Sequence, residues 1–306
     1  RPDVKHRLGV DYETLSRDNP RLVYASISGF GQEGPYRDRP GYDQIVQGMS
    51  GLMWLTGTPE SAPLRVGIPI GDLLAGYFAA IGILTALLER EVSGRGQRVE
   101  TSLLEALTGS LSFQAAKYVN TGAVPPPVGN HHPLTAPMGV YRAKDRVFNL
   151  AVGNDDMWRR FCKAIDRPDL AEDPRFGGMH ARVKHRPVLD AELEAAFAAR
   201  TAAEWVETLN AAGVACGPIN TVDQVFADPQ IRQADLVREV ANAAWGPHKV
   251  LALPVHLSRT PAVVEHAAPM TGEHTREVLT ALGYDAAALD ALLAAGVIEQ
   301  DKGERG

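Results

Sequence analysis

The sequence predicts an α/β protein with more than one folded part, and three observations carry that expectation. Helical and strand-like patterning alternate along most of the chain. A β-rich apolar run at residues 21–28 stands between Pro20 and Gly29, in the manner of a buried parallel strand. A proline-rich stretch at residues 122–127 interrupts the pattern and marks a boundary. The chain has 306 residues, 45% of them hydrophobic, which is long enough to bury two cores. The division expected is 1–121, then 122–230, then a C-terminal segment 231–306 that returns to the first part.

In order, residues 10–19 read as a short helix ended by Pro20, followed by the strand at 21–28. Residues 42–51 have helical spacing through Ile45, Val46 and Met49, with Asp43 in the first turn. Residues 52–57 read as a strand and 59–63 as a turn-rich loop. An apolar entry then ends at Gly71, Asp72 follows, and the next acid is Glu89. This predicts a buried helix with Asp72 at its N-terminus, too short for the roughly 20 residues of a membrane span. Gly71, Ala75 and Ala79 fall on one face, where another backbone can pack closely. Residues 98–103 begin a further strand or helix, and 104–119 read as one helix. Beyond the boundary, 140–152 form a hairpin, and 155–165, 185–200 and 201–212 amphipathic helices, the last opened by a Thr201–Glu204 capping box. Residues 216–219 read as a turn, 221–227 as a helix capped by Thr221, 250–257 as a strand, and 275–282 and 285–295 as helices.

The net charge of −6 argues against a general nucleic-acid surface. Two cysteines, Cys162 and Cys216, do not make a disulfide framework and favour a reducing, cytoplasmic setting. Adjacent His131 and His132 point apart and no cysteine stands near another ligand, so no metal site is expected. Residues 29–34 match G-x-G-x-x-G, but a polar loop follows where a dinucleotide site needs a helix. These glycines read instead as places where the backbone passes close to something, a ligand included. The acids in unusual settings are Asp43 and Asp72. For Asp72 two roles fit: an ordinary helix cap, or a carboxylate kept ionised by the helix dipole for use as a nucleophile.

Several blocks in order resemble the family III CoA-transferases of the CaiB/BaiF type. They include Arg7-Leu8-Gly9-Val10-Asp11-Tyr12-Glu13, Asn19-Pro20-Arg21-Leu22-Val23-Tyr24, Ser26-Ile27-Ser28-Gly29-Phe30-Gly31, Arg39-Pro40-Gly41-Tyr42-Asp43, Gly71-Asp72 and Gly272-Glu273-His274-Thr275-Arg276. The look is closest to members using succinyl-CoA and dicarboxylate acceptors. The resemblance implies a Rossmann-like large domain, incomplete at its N-terminus because the family has further sequence before position 1, a smaller α+β domain, and an interlocked homodimer. It implies an aspartyl nucleophile at Asp72 that forms a mixed anhydride and then an enzyme–CoA thioester. Tyr42, Asp43 and Gly29 would neighbour it. Arg7 and Leu8 would grip the CoA nucleotide, the first through phosphate oxygens. CoA and acyl-CoA would be substrates, with a small carboxylic acid as acceptor and no permanently bound cofactor, nucleic acid or membrane partner.

Two departures qualify the resemblance. Residues 130–137, carrying His131 and His132, fall on a glycine-rich mobile loop of formyl-CoA transferase, yet here contain no glycine. Their expected role is choice of acceptor. The racemase branch has a histidine where this chain has Tyr42. Moving a proton at C2 needs a base on each face, and a phenol with a pKa of about 10 serves poorly. Transferase chemistry is therefore preferred over its alternatives, a 2-methylacyl-CoA racemase and an inactive CoA-binding or assembly subunit.

Overall fold

The run after Pro20 forms a strand, β1 (Tyr24–Ser28), in a computed structural model that describes residues 2–242, 246–264 and 266–300. Two short helices precede it, α1 (Pro2–Arg7) and α2 (Tyr12–Asp18). Asp11 caps α2 by accepting the Thr14 amide at 3.0 Å. β1 pairs in parallel with β2 (Arg98–Ser102), Tyr24 opposite Arg98 and Ser28 opposite Ser102. Parallel strands need a long crossover, and here it contains α3 (Asp43–Met49), α4 (Leu52–Thr56) and α5 (Ile70–Ser93). Residues 52–56 are thus a helical turn, not the expected strand; five residues without a clear apolar period suit either state. Nor is β1 enclosed. With β2 as its only partner strand among the described residues, Ile27 is exposed.

The face of small residues on α5 behaves as its spacing predicts. Gly71, Ala75, Ala79 and Ala86 are its buried positions, and a Cβ on Gly82 would stand 2.6 Å from Val99 Cγ1 of β2. β2 runs directly into α6 (Leu103–Ser110), with Ser102 accepting the Glu105 amide at 3.1 Å as its cap. Val46, Ala75, Leu103, Ala106 and Leu107 form the resulting core. The opposite face of α5 corrects the expectation of a buried helix: Tyr77, Phe78, Ile81, Leu84 and Leu88 are exposed. Close packing selected the small side and left the large side chains outward. The helix also runs 24 residues, enough by length and composition to cross a membrane. It is anchored instead by its small face on β1, β2 and α6. The single helix expected at 104–119 breaks at Leu111, after which α7 (Ser112–Thr121) begins with Ser112 at φ 53°.

Residues 1–218 form one compact unit. Its proline-rich stretch is tied back by Trp54 Nε1, which donates to Pro125 O at 3.1 Å, and by the Gly129 amide on Gly57 O at 2.8 Å. The hairpin arrives as expected, β3 (Met138–Arg142) with β4 (Val147–Ala151). A third antiparallel strand, β5 (Ala215–Pro218), pairs with β4, Cys216 opposite Leu150, where a turn was expected. Helices α8 (Asp155–Ala164), α9 (Pro168–Glu172), α10 (Met179–Lys184), α11 (Arg186–Phe197) and α12 (Ala202–Ala211) accompany this sheet, and the Thr201–Glu204 capping box is formed. Aromatic edges meet in their core, Phe148 on Phe197 at 5.0 Å and Phe197 on Trp205 at 5.5 Å.

The second unit, residues 219–306, has α13 (Val222–Ala227) with a Thr221–Gln224 capping box, then α14 (Pro229–Gln233). An antiparallel pair follows, β6 (Val237–Asn242) and β7 (Gly246–Leu251). β7 ends at Leu251, short of the expected 257, because Pro254 cannot donate to a ladder. Helices α15 (Thr275–Ala281) and α16 (Ala286–Ala294) complete it, the latter capped by Asp285.

Candidate active site

The loop after β1 brings two backbones into contact. A Cβ on Gly29 would lie 2.7 Å from Gly41 Cα, and one on Gly41 would lie 2.8 Å from Gly29 Cα. What the glycine-rich loop admits is therefore its own chain, twelve residues on. Gly31 and Gly34 hold φ +98° and +86°, where a side chain is strained, and no helix opens before Asp43. The contact sets Tyr42 as the extended N-cap residue of α3, 75% exposed, and turns Asp43 inward.

Asp43 is buried and does more than begin its own helix. Its Oδ1 accepts the Gly71 amide at 2.8 Å, and its Oδ2 accepts Gln47 Nε2 at 2.8 Å with Arg65 Nη2 at 3.5 Å. Gln47, one turn along α3 and wholly buried, also donates to Ile68 O at 3.2 Å and accepts the Val66 amide at 3.0 Å. Two side chains of α3 thus hold the crossing segment and the first turn of α5. A Cβ at Gly71 would meet Asp43 Oδ1 and Leu107 Cδ1, each at 3.1 Å, so glycine is what lets α5 start there.

Asp72 is the third residue of α5, and Pro69 is its N-cap. The capping alternative falls away, since the Asp72 side chain accepts no amide of its own helix; Asp43 takes that part from another helix. Asp72 is exposed, with no hydrogen-bond or ion-pair partner among the described side chains. It sits in the first turn of a long helix, where the dipole favours a negative charge. An accessible, unpaired carboxylate on a rigidly held helix start can attack an electrophilic carbon.

The structure therefore joins Gly29, Tyr42, Asp43 and Asp72 through adjacent backbone. It adds Gln47 and Arg65, which sequence reading missed. The i, i+4 spacing of Asp43 and Gln47 was the available signal. The histidines belong to another cluster. His131 faces Asp190 at 3.8 Å and Arg186 at 3.5 Å, and Asp190 accepts the Tyr141 hydroxyl at 2.8 Å. Burial and the neighbouring Asp190 carboxylate push the Tyr141 phenol well above its usual range. His132 packs on Phe113, ring centroids 5.6 Å apart. Arg186 Nη2 donates to His132 O and Thr135 O, both at 2.7 Å, and Arg182 Nε to Ala136 O at 2.8 Å, so this loop is pinned at several points. Arg7 and Leu8 lie at the exposed end of α1, whose Lys5 reaches Gln32 Oε1 at 2.9 Å. Arg7 has no acidic partner among the described residues. Burial raises the Cys162 thiol to about 12 and also lifts Cys216, which opposes thiolate chemistry at either. No cluster of three or more His, Cys, Asp or Glu side chains suited to a metal occurs among the described residues.

The sequence profile described as CoA-transferase family III matches residues 1–275. The chain belongs to CoA-transferase family III. Over 231 residues it is 42% identical to the acetyl-CoA:oxalate CoA-transferase of Acetobacter aceti, covering 75% of this chain and 59% of that protein. Over 280 residues it is 36% identical to the succinate–glutarate CoA-transferase of Agrobacterium fabrum, covering 90% and 69%. A CaiB/BaiF family crystal structure from Brucella suis matches with a TM-score of 0.78 at 35% identity, over 92% of this chain and 73% of that one. A Mycobacterium tuberculosis structure gives 0.80 at 31% identity, over 90% and 73%. This family member thus spans less than two thirds of the first of these relatives, and its α/β architecture is that of the CaiB/BaiF structures.

Proposed function

We propose that this family member transfers CoA from an acyl-CoA donor to a carboxylic acid acceptor, with Asp72 as nucleophile. The observation that carries the reading is the exposed Asp72 carboxylate, without a partner among the described residues, on a helix start that Asp43 holds at Gly71. An Asp72 oxygen attacks the thioester carbon, the C–S bond breaks, and CoA leaves as thiolate. The thiolate attacks the Asp72 carbonyl of the anhydride and releases the donor acid. The acceptor carboxylate then attacks the Asp72–CoA thioester. The freed thiolate takes the acceptor acyl group and regenerates Asp72, so each step exchanges one acyl bond for another. Backbone amides at the glycine loop are suited to hold the developing oxyanions.

Succinyl-CoA and a dicarboxylate are the proposed substrates, in keeping with the names of the relatives. Arg7, free of an acidic partner among the described residues, is proposed to meet CoA phosphate. A Rossmann-like sheet and an interlocked homodimer belong to the same proposal. Exchange of labelled CoA between succinate and glutarate is the test, with borohydride or hydroxylamine trapping after incubation with succinyl-CoA. Wild-type protein should exchange and be trapped at Asp72, and Asp72→Ala should do neither. Exchange by Asp72→Ala at the wild-type rate would sink the reading. Deuterium uptake at C2 of a 2-methylacyl-CoA without any acceptor acid would favour a racemase.

A further inference from the structure

We propose that Gln47 is the positioning residue of this site, setting where the Asp72 carboxylate stands; the proposal rests on the nucleophile reading above. Gln47 is wholly buried, and its amide makes three bonds to three different places. Its carbonyl oxygen accepts the Val66 amide at 3.0 Å, and its nitrogen donates to Ile68 O at 3.2 Å and to Asp43 Oδ2 at 2.8 Å. A primary amide has two donors and an acceptor oxygen, and this site uses both donors and the oxygen. The two backbone bonds fix the extended crossing at residues 66 and 68. The third orients Asp43, whose other oxygen takes the Gly71 amide. The carboxylate of Asp72 is one residue further on. Its position therefore depends on a chain of bonds that begins at Gln47.

Neither a carboxylate nor an alkyl group can replace this amide. The carboxylate introduced by Gln47→Glu would face Asp43 with a second negative charge and no donor, and two carboxylates at that distance share a proton. The other charged group at the clamp is Arg65, 3.5 Å from Asp43; α5 contributes the Gly71 amide, and α6 the apolar Leu107. Protonating the pair supplies an O–H donor from position 47 to Asp43, so that with the other oxygen accepting the Val66 amide two of the three bonds are present. A variant with that chemistry regains positioning as pH falls, which a residue acting only as core filler would not do.

The experiment compares wild type, Gln47→Glu and Gln47→Leu in succinyl-CoA:glutarate exchange, each as a ratio to wild type at the same pH. Hydrogen exchange of the peptide covering residues 64–74 and far-ultraviolet circular dichroism accompany it. Misplacing a nucleophile by about 1 Å lowers turnover by roughly 100-fold. Gln47→Leu should therefore lose kcat on that order with little change in KM for succinyl-CoA, at every pH. Gln47→Glu should be as poor at neutral pH, and its ratio to wild type should climb as pH falls. Amide 71 should exchange faster in both variants at neutral pH, and amide 66 in Gln47→Leu, which has no oxygen left to accept it. If the leucine variant unfolds, the pH course of the near-isosteric glutamate variant decides. A flat ratio for Gln47→Glu, or a folded Gln47→Leu with kcat within about two-fold of wild type, overturns the proposal. A wild type without CoA exchange overturns the functional reading instead. The clamp is then judged by hydrogen exchange, and unchanged protection at 66 and 71 in Gln47→Leu overturns it too.

Discussion

Asp43 Oδ1 accepts the backbone amide of Gly71 at 2.8 Å, so the helix bearing Asp72 is capped by a side chain from 28 residues upstream. A helix start leaves amides without intrahelical partners. Supplying the acceptor from α3 satisfies one of them and ties the two helices at the point where the exposed Asp72 carboxylate emerges. Removing that acceptor has consequences for both stability and geometry. Asp43→Ala leaves the Gly71 amide, Gln47 Nε2 and Arg65 without their shared partner. A loss of about 1–3 kcal/mol is expected from the urea midpoint. Asp43→Asn keeps an oxygen for Gly71 and should lose less, with a correspondingly smaller fall in CoA exchange.

Gly41→Ala tests the contact that sets Tyr42 and Asp43. Its Cβ would meet Gly29 Cα at 2.8 Å and the Phe30 ring at 3.0 Å, and a backbone atom cannot swing aside as a side chain does. Overpacking of this kind costs about 1–3 kcal/mol. Gly109→Ala is the control, because it lies in α6 with nothing within 4 Å of the new Cβ. That change should stabilise by about 0.5–1 kcal/mol. Thermal melts of the two variants should move in opposite directions.

Arg182, in α10, is wholly buried. It donates to Ala136 O at 2.8 Å, to Phe176 O at 3.0 Å and to Asp155 Oδ1 at 2.7 Å, and its guanidinium lies over Trp158. Arg182→Met fills part of the space and strands two carbonyls, with an expected loss of about 3–5 kcal/mol in denaturant unfolding. Limited proteolysis should then cut within residues 130–137, since Ala136 loses its anchor.

Stability at acid pH has a specific contributor in Asp145. The Ala202 amide, 2.8 Å from its Oδ1, holds this carboxyl below the usual carboxylate range against the opposing effect of burial, and Arg146 adds to it. A depressed folded-state value gives stability that is present above the unfolded value of about 3.9 and lost as pH falls through the folded value. The melting temperature of wild type should drop through that window. Asp145→Asn should melt lower at neutral pH and show a shallower acid limb.

Elements with local signals were legible in the sequence. The Thr201–Glu204 capping box, the Thr221 cap, the 140–152 hairpin and the helix start near Asp72 each announce themselves within a few residues. Features that depend on distant partners were not. Gly217-Pro218 reads as a turn, yet β5 exists because β4, far back in the chain, offers it a ladder. The large apolar side chains of α5 read as core, but the small ones are what the neighbouring backbones admit. Asp43 and Asp72 stood out as acids in unusual settings; that one caps the helix of the other follows only from α3 and α5 meeting in space.

Gly29 and Gly41 occupy one patch of space from two places in the chain, each filling the position a Cβ on the other would need. For sequence drift this makes them a single locus with two addresses. A side chain gained at either address meets the same obstruction, and a second substitution opposite it adds bulk and relieves nothing. Residues between them are under a looser bond: Gly31 and Gly34 hold positive φ and Phe30 packs on Gly41, but the stretch from 35 to 40 makes no such contact between backbones, so long as the two ends of the loop return to touch. In any branch of the lineage, insertions should collect inside that interval and stop at its edges.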